Sequence, residues 1–560
     1  GAPLTSCPLD EKISEANYLK NCGASIAALA VVMIDNPMVP GTGHRICNDC
    51  MKACIYQKQQ PVNVPAIETS ILTDVLSARW GFEVYDLFTR WNPLNVRRPH
   101  ALPYNGKNVL VVGLGPAGYT LSQHLLNEGF GVVGIDGLKI EPLPAAHLAE
   151  PIERWQDVYT SLDERILLGF GGVSEYGITV RWDKNFLGVV YTTLARRPNF
   201  RVYGGVRFGG TLDVEDAWKL GFHHVAIAAG AGKPTLVDMP NGLARGIRQA
   251  SDFLMALQLT GAYKKSSLAN LPVRLPGLVI GGGLTGIDAA TEMRAYYVVQ
   301  CEKALARFDV LAGEIGADGV LRMYDAEERE VFEETLLHGR AIRAEREAAA
   351  SELRAPDFNR MIDAWGGVTL AYRRSLTDSP AYRLNHEEVE KFLEEGVRFL
   401  ERASPKEALV DDRGAVRAVV FDRMTTTDGK LVSTGETVEI PARTVCIAAG
   451  TSANITYERE LPGTFEMDPK TRAFRSHAAT VADDGTVTLA PDPVGFFTSY
   501  NRDGRVVSYY GDNHPKYAGN VVKAMASARD GFHQIAKLFA DDSPAADLPT
   551  QQQREAGWRA

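Results

Sequence analysis

Cys47-Asn-Asp-Cys50-Met-Lys-Ala-Cys54 sets three thiols in a CxxCxxxC spacing. Thiolates this close can converge on one metal centre, and a four-iron cube needs four of them. Structural zinc is the competing metal, but its sites usually show two CxxC-like knuckles, and only one tight group is present. The fourth ligand is then Cys7 or Cys22. Proline follows Cys7, a common companion of cluster cysteines. Cys22 lies in a helical pattern from Asn17 to Val32, where a buried, inert thiol is expected. Cys301 and Cys446 have no partner at CxxC or CxxxxC spacing, so no redox-active dithiol is expected.

A second chemistry is written in glycine. Gly113-Leu-Gly115-Pro116-Ala117-Gly118 and Gly281-Gly-Gly283-Leu-Thr285-Gly286 both read GxGxxG. A lone match is weak, because glycines recur in many turns. Each of these follows a strand pattern and opens a helix, where backbone amides can approach a pyrophosphate at the positive helix end. Gly113 permits the tight turn, Gly115 the close approach and Gly118 the strand–helix packing. Asp136, 21 positions after Gly115, closes the second strand, where a carboxylate binds a ribose diol. For the second loop, Gly281, Gly283 and Gly286 are placed alike, and two positions compete for the adenosine end. Glu302 follows a candidate strand, Tyr296 to Cys301; Val368 to Tyr372 is the better strand and ends in Arg373-Arg374. Paired guanidiniums there suit a 2′-phosphate, hence NADP(H) over NAD(H).

The elements that must position these residues follow from the same pattern. Val109 to Val112 is a short strand ahead of Gly113, Tyr119 to Asn127 an amphipathic helix behind it, and Gly131 to Ile135 a second strand. The grammar restarts at Gly277 with a Leu-Val-Ile strand and a helix from Ile287 to Arg294. Two such units predict two dinucleotide sites. Residues 1 to about 100 carry the cysteine cluster on short helices, ending in a linker from Asn92-Pro93 to Asn105-Gly106. Ala326 to Ala355, dense in Glu, Arg and Ala, reads as a solvated helix, and the tail after Asp541 as loose.

Composition narrows the rest. Sixty basic and 69 acidic residues leave a net charge of −9, which argues against nucleic acid or an anionic membrane as main partner. The longest strongly apolar stretch, Ile26 to Ile34, is far short of the roughly 20 residues of a spanning helix. Seven cysteines in 560 residues are too few for a disulfide scaffold and fit a reduced, cytoplasmic setting. The opening Gly-Ala-Pro lacks an initiator Met and a signal-peptide pattern, as expected of a piece of something longer.

Taken together, these residues resemble the small, flavin-containing subunit of bacterial glutamate synthase and the related NAD(P)H-oxidising modules of dihydropyrimidine dehydrogenase and ferredoxin-linked oxidoreductase complexes. The resemblance runs from about Cys7 to Phe539. It is carried first by Cys7-Pro8 through Asn36-Pro37, Gly43-His-Arg-Ile-Cys47, Cys50, Cys54 and Pro61 to Glu68. In that family a Cys-Pro stands about forty residues before the triplet, and here Cys7 to Cys47 is 40, so the resemblance selects Cys7 over Cys22. Gly113 to Gly118 with Asp136 is similar to the FAD half, with Pro116-Ala117 typical of flavin sites. Val225 to Gly230 and Val445 to Gly450 resemble the strands that end each nucleotide excursion. Tyr509-Tyr-Gly511-Asp512 and Asn520-Val-Val522 resemble the late flavin motif, which implies Asp512 at the ribityl or pyrophosphate and the helix start at the pyrimidine edge. Gly281 to Asp288, Tyr372-Arg373-Arg374, His386 to Val389 and Glu394 to Val397 are similar to the nicotinamide half. Three features depart from the family: the upstream cysteines of a second cube are absent, and insertions fall at Asp136–Gly171 and Tyr296–Gly366.

The resulting expectation is an α/β fold with two Rossmann-like domains, one inserted in the other, behind a small helical iron–sulfur domain. The expected boundaries are 1–100 for the cluster domain, 101–240 plus 456–560 for FAD and 241–455 for NAD(P), with a helical insertion near 296–366. The resemblance implies FAD, a [4Fe–4S] cluster on Cys7, Cys47, Cys50 and Cys54, and NADP(H) or NAD(H). It implies an electron-transfer module that serves a partner catalytic subunit or a ferredoxin-like carrier in a hetero-oligomeric complex. No side chain stands out as an essential acid or base. The competing expectations are an FAD-containing relay or assembly subunit without nicotinamide turnover, and a metal-free flavin reductase or monooxygenase.

Overall fold

Strand Asn108–Val112 is buried along its whole length, as a strand covered on both faces must be, and it belongs at the centre of a parallel sheet. It lies between Gly131–Asp136 and His224–Ile227, parallel to both. Phe200–Gly204 and Arg505–Tyr509 extend the parallel set outward on the two sides. Three antiparallel strands, Phe497–Arg502, His477–Val481 and Val487–Pro491, complete an eight-stranded sheet. The chain departs in opposite directions from the first strand, so that strand's carboxyl end is a topological switch point, the place where open α/β sheets hold ligands.

The computed structural model describes residues 7–43, 46–161, 164, 168–178, 182–540, 542 and 548–559. His44 and Arg45 of the Gly43–Cys47 motif, residues 162–163 and 165–167 of the first insertion, and residues 543–547 of the tail lie outside them. The chain divides into two compact units: residues 1–175, 181–233 and 451–560 form one, and residues 176–180 and 234–450 the other.

In the first unit, helix Pro116–Asn127 begins with proline at its first position, where the missing N–H costs nothing. It packs on helix Val521–Leu538, His124 stacking on Phe532 at 4.6 Å between ring centres. Asn520 caps the latter helix by accepting the Lys523 N–H at 2.7 Å. Helices Ile13–Asn21, Ser25–Asp35, Val64–Ser77 and Gly81–Phe88 precede the sheet. The single helix expected from Asn17 to Val32 is two, because Gly23 takes φ 77° and turns the chain. Cys22, expected to be buried, is exposed at that turn. The tail expected to be loose ends instead in helix Gln551–Arg559, where Arg554 lies 4.0 Å over the Tyr104 ring and Trp558 stacks on Phe222.

The second unit repeats the parallel arrangement. Gly277–Ile280 is central, flanked by Thr444–Ile447 and Ile247–Gln249 on one side and Val368–Ala371 and Arg398–Leu400 on the other. A three-stranded antiparallel sheet, Ala403–Val410, Val416–Thr427 and Lys430–Pro441, lies in the same unit. The helix after the second glycine loop, expected over Ile287 to Arg294, runs unbroken for 32 residues, Leu284–Ile315. The strand expected at Tyr296 to Cys301 is therefore helix, and Glu302 lies on that helix, paired with Arg346. Helix Ala326–Ser351 lies against it, and its solvated reading holds for one face only: Leu336, Ile342 and Ala349 are buried. Gly339 marks the crossing, since a Cβ there would stand 2.7 Å from the Cys301 carbonyl oxygen.

Burial holds several imidazoles of the first unit neutral, His514 at about 4 and two others lower still. Burial holds His124 at about 3 and His224, bonded at 2.7 Å to the Ser508 hydroxyl, also at about 3. An unfolded histidine titrates near about 6.5. Below that pH the unfolded chain takes up protons that the folded chain refuses, so stability is complete above about 6.5 and falls as pH drops toward about 3. The expected slope is about 1.4 kcal/mol per pH unit for each ring. Urea unfolding across this range should show that acid limb, and His124→Phe should flatten it by one proton equivalent. An unchanged slope in the variant would assign the proton uptake elsewhere.

Candidate cofactor site

The first glycine loop leaves no room for side chains where the chain meets itself. Gly113 takes φ 94°, and a Cβ on it would run into the Ala228 carbonyl. A Cβ on Gly118 would run into the carbonyl of Gly113 itself, so loop, helix and strand can only close on glycine. Gly115 differs. The nearest atoms to a Cβ built there are 3.8 Å away, at Gly171 and Gly172, so the chain itself does not require glycine at this position. The open space over Gly115, at the start of helix Pro116–Asn127, fits the close approach of a bound anionic group.

The late motif closes on this loop. Gly511 takes φ 65°, and a Cβ there would lie 2.9 Å from the Ala117 Cβ. Its N–H donates to the Ser527 hydroxyl at 2.8 Å, a tie between the strand end and helix Val521–Leu538. Asp512 accepts the Gly519 N–H at 2.8 Å, and burial pushes its carboxyl upward against that bond. Gly230, past strand His224–Ile227, takes φ 68° and accepts the Asn454 N–H at 2.9 Å. The Asn513 amide donates to the Asn454 carbonyl at 2.9 Å, so Gly230 and the Gly511–Asn513 turn share one anchor.

Asp136 has a task within the protein. It accepts the Leu114 N–H at 3.2 Å and the Leu138 N–H at 3.0 Å, one on each oxygen. Burial raises its carboxyl and these N–H groups pull it back. Each oxygen keeps a lone pair, so the bonds leave capacity for ribose hydroxyls.

Three of the four expected ligand cysteines face one cavity. Cys7, Cys47 and Cys50 line it with Glu11, Glu68 and Val522, the second residue of the helix that follows the late motif. Cys54 is half-buried and does not line it. Among the described residues no three His, Cys, Asp or Glu groups are placed to hold a single metal ion. Burial raises all three lining thiols, Cys50 to about 12, with Glu68 and Cys7 adding to the shift. Burial and then the Glu68 charge push Glu11 well above the ordinary carboxyl range, and burial raises Glu68 as well. Asn36 donates to Glu11 at 2.8 Å and the Thr42 hydroxyl donates to Glu68. The sequence reading missed this carboxyl pair. Glu68 ends one of its quoted motifs, but nothing in the chain pattern signals Glu11.

In the second unit Gly281 takes φ 143°, and a Cβ would strike the Ala448 carbonyl; at Gly286 it would lie 2.7 Å from the Gly281 oxygen. Gly283 has nothing within 4 Å of such a Cβ, the same openness as at Gly115. Thr285 is exposed on the first helical turn. Strand Val368–Ala371 pairs directly with the glycine-loop strand, Ile280 opposite Ala371. The insertion therefore does not part Arg373 and Arg374 from the loop. Arg373 is exposed and Arg374 half-buried just past the strand end. Gly450, past strand Thr444–Ile447, takes φ 104° and accepts the Thr235 N–H at 2.8 Å. All seven cysteines are free, Cys301 and Cys446 both buried, so no disulfide stands at either loop.

A family model described as pyridine nucleotide-disulphide oxidoreductase matches residues 107–470. The uncharacterized protein RP006 of Rickettsia prowazekii is 40% identical over 513 residues, 91% of this chain and 65% of that protein. The glutamate synthase (NADPH) small chain of Mycobacterium tuberculosis is 26% identical over 289 residues, half of each chain. Among solved structures, Mycobacterium tuberculosis FprA in complex with NADPH aligns with a TM-score of 0.47 at 16% identity, over 82% of this chain and 90% of that one. The chain thus spans 65% and 50% of the lengths of these two curated relatives.

The Asp136 anchors make a local prediction. Asp136→Ala leaves two loop N–H groups without acceptors, at about 1–3 kcal/mol. Hydrogen exchange at Leu114 and Leu138 should accelerate at least tenfold, with Asp136→Asn intermediate. Unaltered protection in the alanine variant would show that the loop holds its shape without the carboxylate.

Proposed function

Because the chain belongs to the pyridine nucleotide-disulphide oxidoreductase family, we propose that it moves a hydride between NADPH and FAD and single electrons onward to a [4Fe–4S] cluster, in service of a partner subunit. The observation that carries this reading is Val522. It lines the cysteine cavity, and it opens the helix that follows the motif closing on the Gly113–Gly118 loop. The chemistry supplied by the bound groups is two-electron acceptance and one-electron release at FAD, and one-electron carriage at the cube.

The chain's own residues bind and orient. Gly113, Gly115 and Gly118, with Pro116 opening the helix and the first-turn N–H groups of Ala117 and Gly118, seat the FAD pyrophosphate. Asp136 takes the adenine ribose, and Gly230, Gly511, Asp512 and Val522 flank the far end. Gly281, Gly283, Thr285, Gly286 and Gly450 seat the nicotinamide cofactor, with Arg373 and Arg374 on its adenosine phosphate. Cys7, Cys47, Cys50 and Cys54 hold the cube. A cube takes its thiolates at well-separated corners, unlike the close shell of a single ion, which accords with three thiols facing one cavity. Their raised values mean that a cationic core must draw off the protons. Protonation of Glu11 and Glu68 would remove two negative charges from beside those thiolates.

The NADPH named for the mycobacterial glutamate synthase small chain supports NADP over NAD. The absence of any cysteine pair at the loops favours transfer to the cube over dithiol exchange. The closeness of Arg373 to the second loop favours nicotinamide turnover over a relay that has lost it.

Under anaerobic conditions NADPH should bleach the flavin absorbance of the purified chain; oxidised flavin that persists under both NADPH and NADH would sink the proposal. Replacing Arg373 and Arg374 together by Ala should raise KM for NADPH about 10- to 100-fold, the worth of one charge-assisted contact, and leave that for NADH unchanged. Cys47→Ser should lose most of the roughly four irons expected per chain while retaining flavin. Full iron in that variant would remove Cys47 from the ligand set.

A further inference from the structure

On the second unit, a groove of about 680 Å3 runs along helix Leu284–Ile315, bounded by helix Ala326–Ser351 and by the loop that carries Lys265 and Leu268. It is not the nucleotide site. Its first residue on the long helix, Glu302, lies 18 residues beyond Leu284, about 27 Å at about 1.5 Å per residue. Ligand sites typically occupy about 300–1,000 Å3.

The walls are apolar and wet. Leu305 forms the buried floor, while Leu268 is 87% exposed, Val310 66% and Leu311 41%. Single exposed apolar residues need no explanation, but several converging on one concave site do. The edge is cationic, with Lys265, Lys303, Arg307, Arg343 and Arg346 against Glu302. Two of these are offset by carboxylates, Arg346 by Glu302 and Arg343 by Asp309 at 2.6 Å. Lys303 donates to the carbonyls of Ala262 and Ala269 at 2.7 and 2.9 Å, and Arg307 to that of Ser267, all neutral acceptors. Lys303 and Arg307 are like charges one helical turn apart, an arrangement that costs stability. Burial, and then the Arg307 charge, holds the Lys303 ammonium below its ordinary range. A chain of net charge −9 thus keeps a surplus of cations around one apolar groove.

We propose that this groove binds a free single-chain anionic amphiphile of the fatty-carboxylate class, with the chain along Leu268, Leu305, Val310 and Leu311 and the carboxylate among the edge cations. The concave, ligand-sized volume between two helices and a loop, open to solvent on one side, and the match of an apolar wall to a cationic edge favour such a molecule over a macromolecular face. The inference stands apart from the flavin reading, because nothing in it uses either glycine loop.

Calorimetric titration of the full chain with dodecanoate, below its micelle-forming concentration, is the test. One saturable site per chain is expected, with binding at least tenfold weaker for dodecanol. Leu268→Asp and Lys265→Glu alter exposed side chains, and each should weaken dodecanoate at least tenfold with an unchanged unfolding midpoint. No saturable heat, or equal affinity in wild type and both variants, overturns the proposal. So does cosedimentation with phosphatidylglycerol vesicles without binding of free dodecanoate, which would make the groove a membrane face.

Discussion

The structure depends on backbone meeting backbone at two strand ends. At Gly113 the chain passes so near the Ala228 carbonyl, and at Gly118 so near its own Gly113 carbonyl, that no side chain fits. The second unit repeats the constraint at Gly281 and Gly286, against Ala448 and Gly281. Such closeness brings each helix start down to the edge of its sheet and points its unpaired amides outward. The loops also contain a glycine that the protein does not need for itself, Gly115 in one and Gly283 in the other. Required glycines shape the cradle, and the unrequired ones leave it open.

What was legible in the sequence follows from that constraint. A loop that tolerates only glycine at fixed spacing writes itself into the chain, and a strand buried on both faces writes an unbroken apolar run. The Asn108–Val112 and Gly277–Ile280 strands, both loops and the strand ending at Arg373 were therefore readable. Where expectation and structure differ, two causes operate. Tyr296 to Cys301 looks like a strand because it is apolar, aromatic and β-branched, yet it continues a helix whose buried face supplies Tyr296, Tyr297, Val298 and Cys301. Short apolar runs do not distinguish the two, and tertiary packing decides. At Cys22 the reverse happened: helical periodicity continued across Gly23, but the glycine's left-handed turn ended the helix and exposed the thiol.

Long-range pairing was the least legible. Nothing in the local pattern around Glu11 says that it will meet Glu68 at the wall of a cavity, and nothing around Arg373 says that the 87 residues between Ile280 and Val368 will leave its strand paired with the Gly281 loop's strand. The long insertion reads as a disruption in sequence. In space it is a helical hairpin leaving and rejoining the sheet between two neighbouring strands, Gly277–Ile280 and Val368–Ala371. A right-handed parallel crossover of any length preserves that adjacency, because only its ends are fixed.

The hairpin's freedom also explains its surface. Residues within the sheet are bound by pairing and burial, so their chemistry is spent on the fold. Beyond about Tyr297 the long helix is held by its partner helix, where Gly339 lets the Cys301 carbonyl approach, and by the 262–273 segment, which Gln300, Lys303 and Arg307 hydrogen-bond. Lys303 and Arg307 stand there as like charges one helical turn apart, and their hydrogen bonds go to neutral carbonyls, while Arg343 and Arg346 pair with carboxylates. Like charges one turn apart, beside apolar side chains kept in water, are unfavourable for the isolated chain even though they also tie down the 262–269 loop. A ligand that brings a negative charge and a hydrocarbon together would relieve both at once.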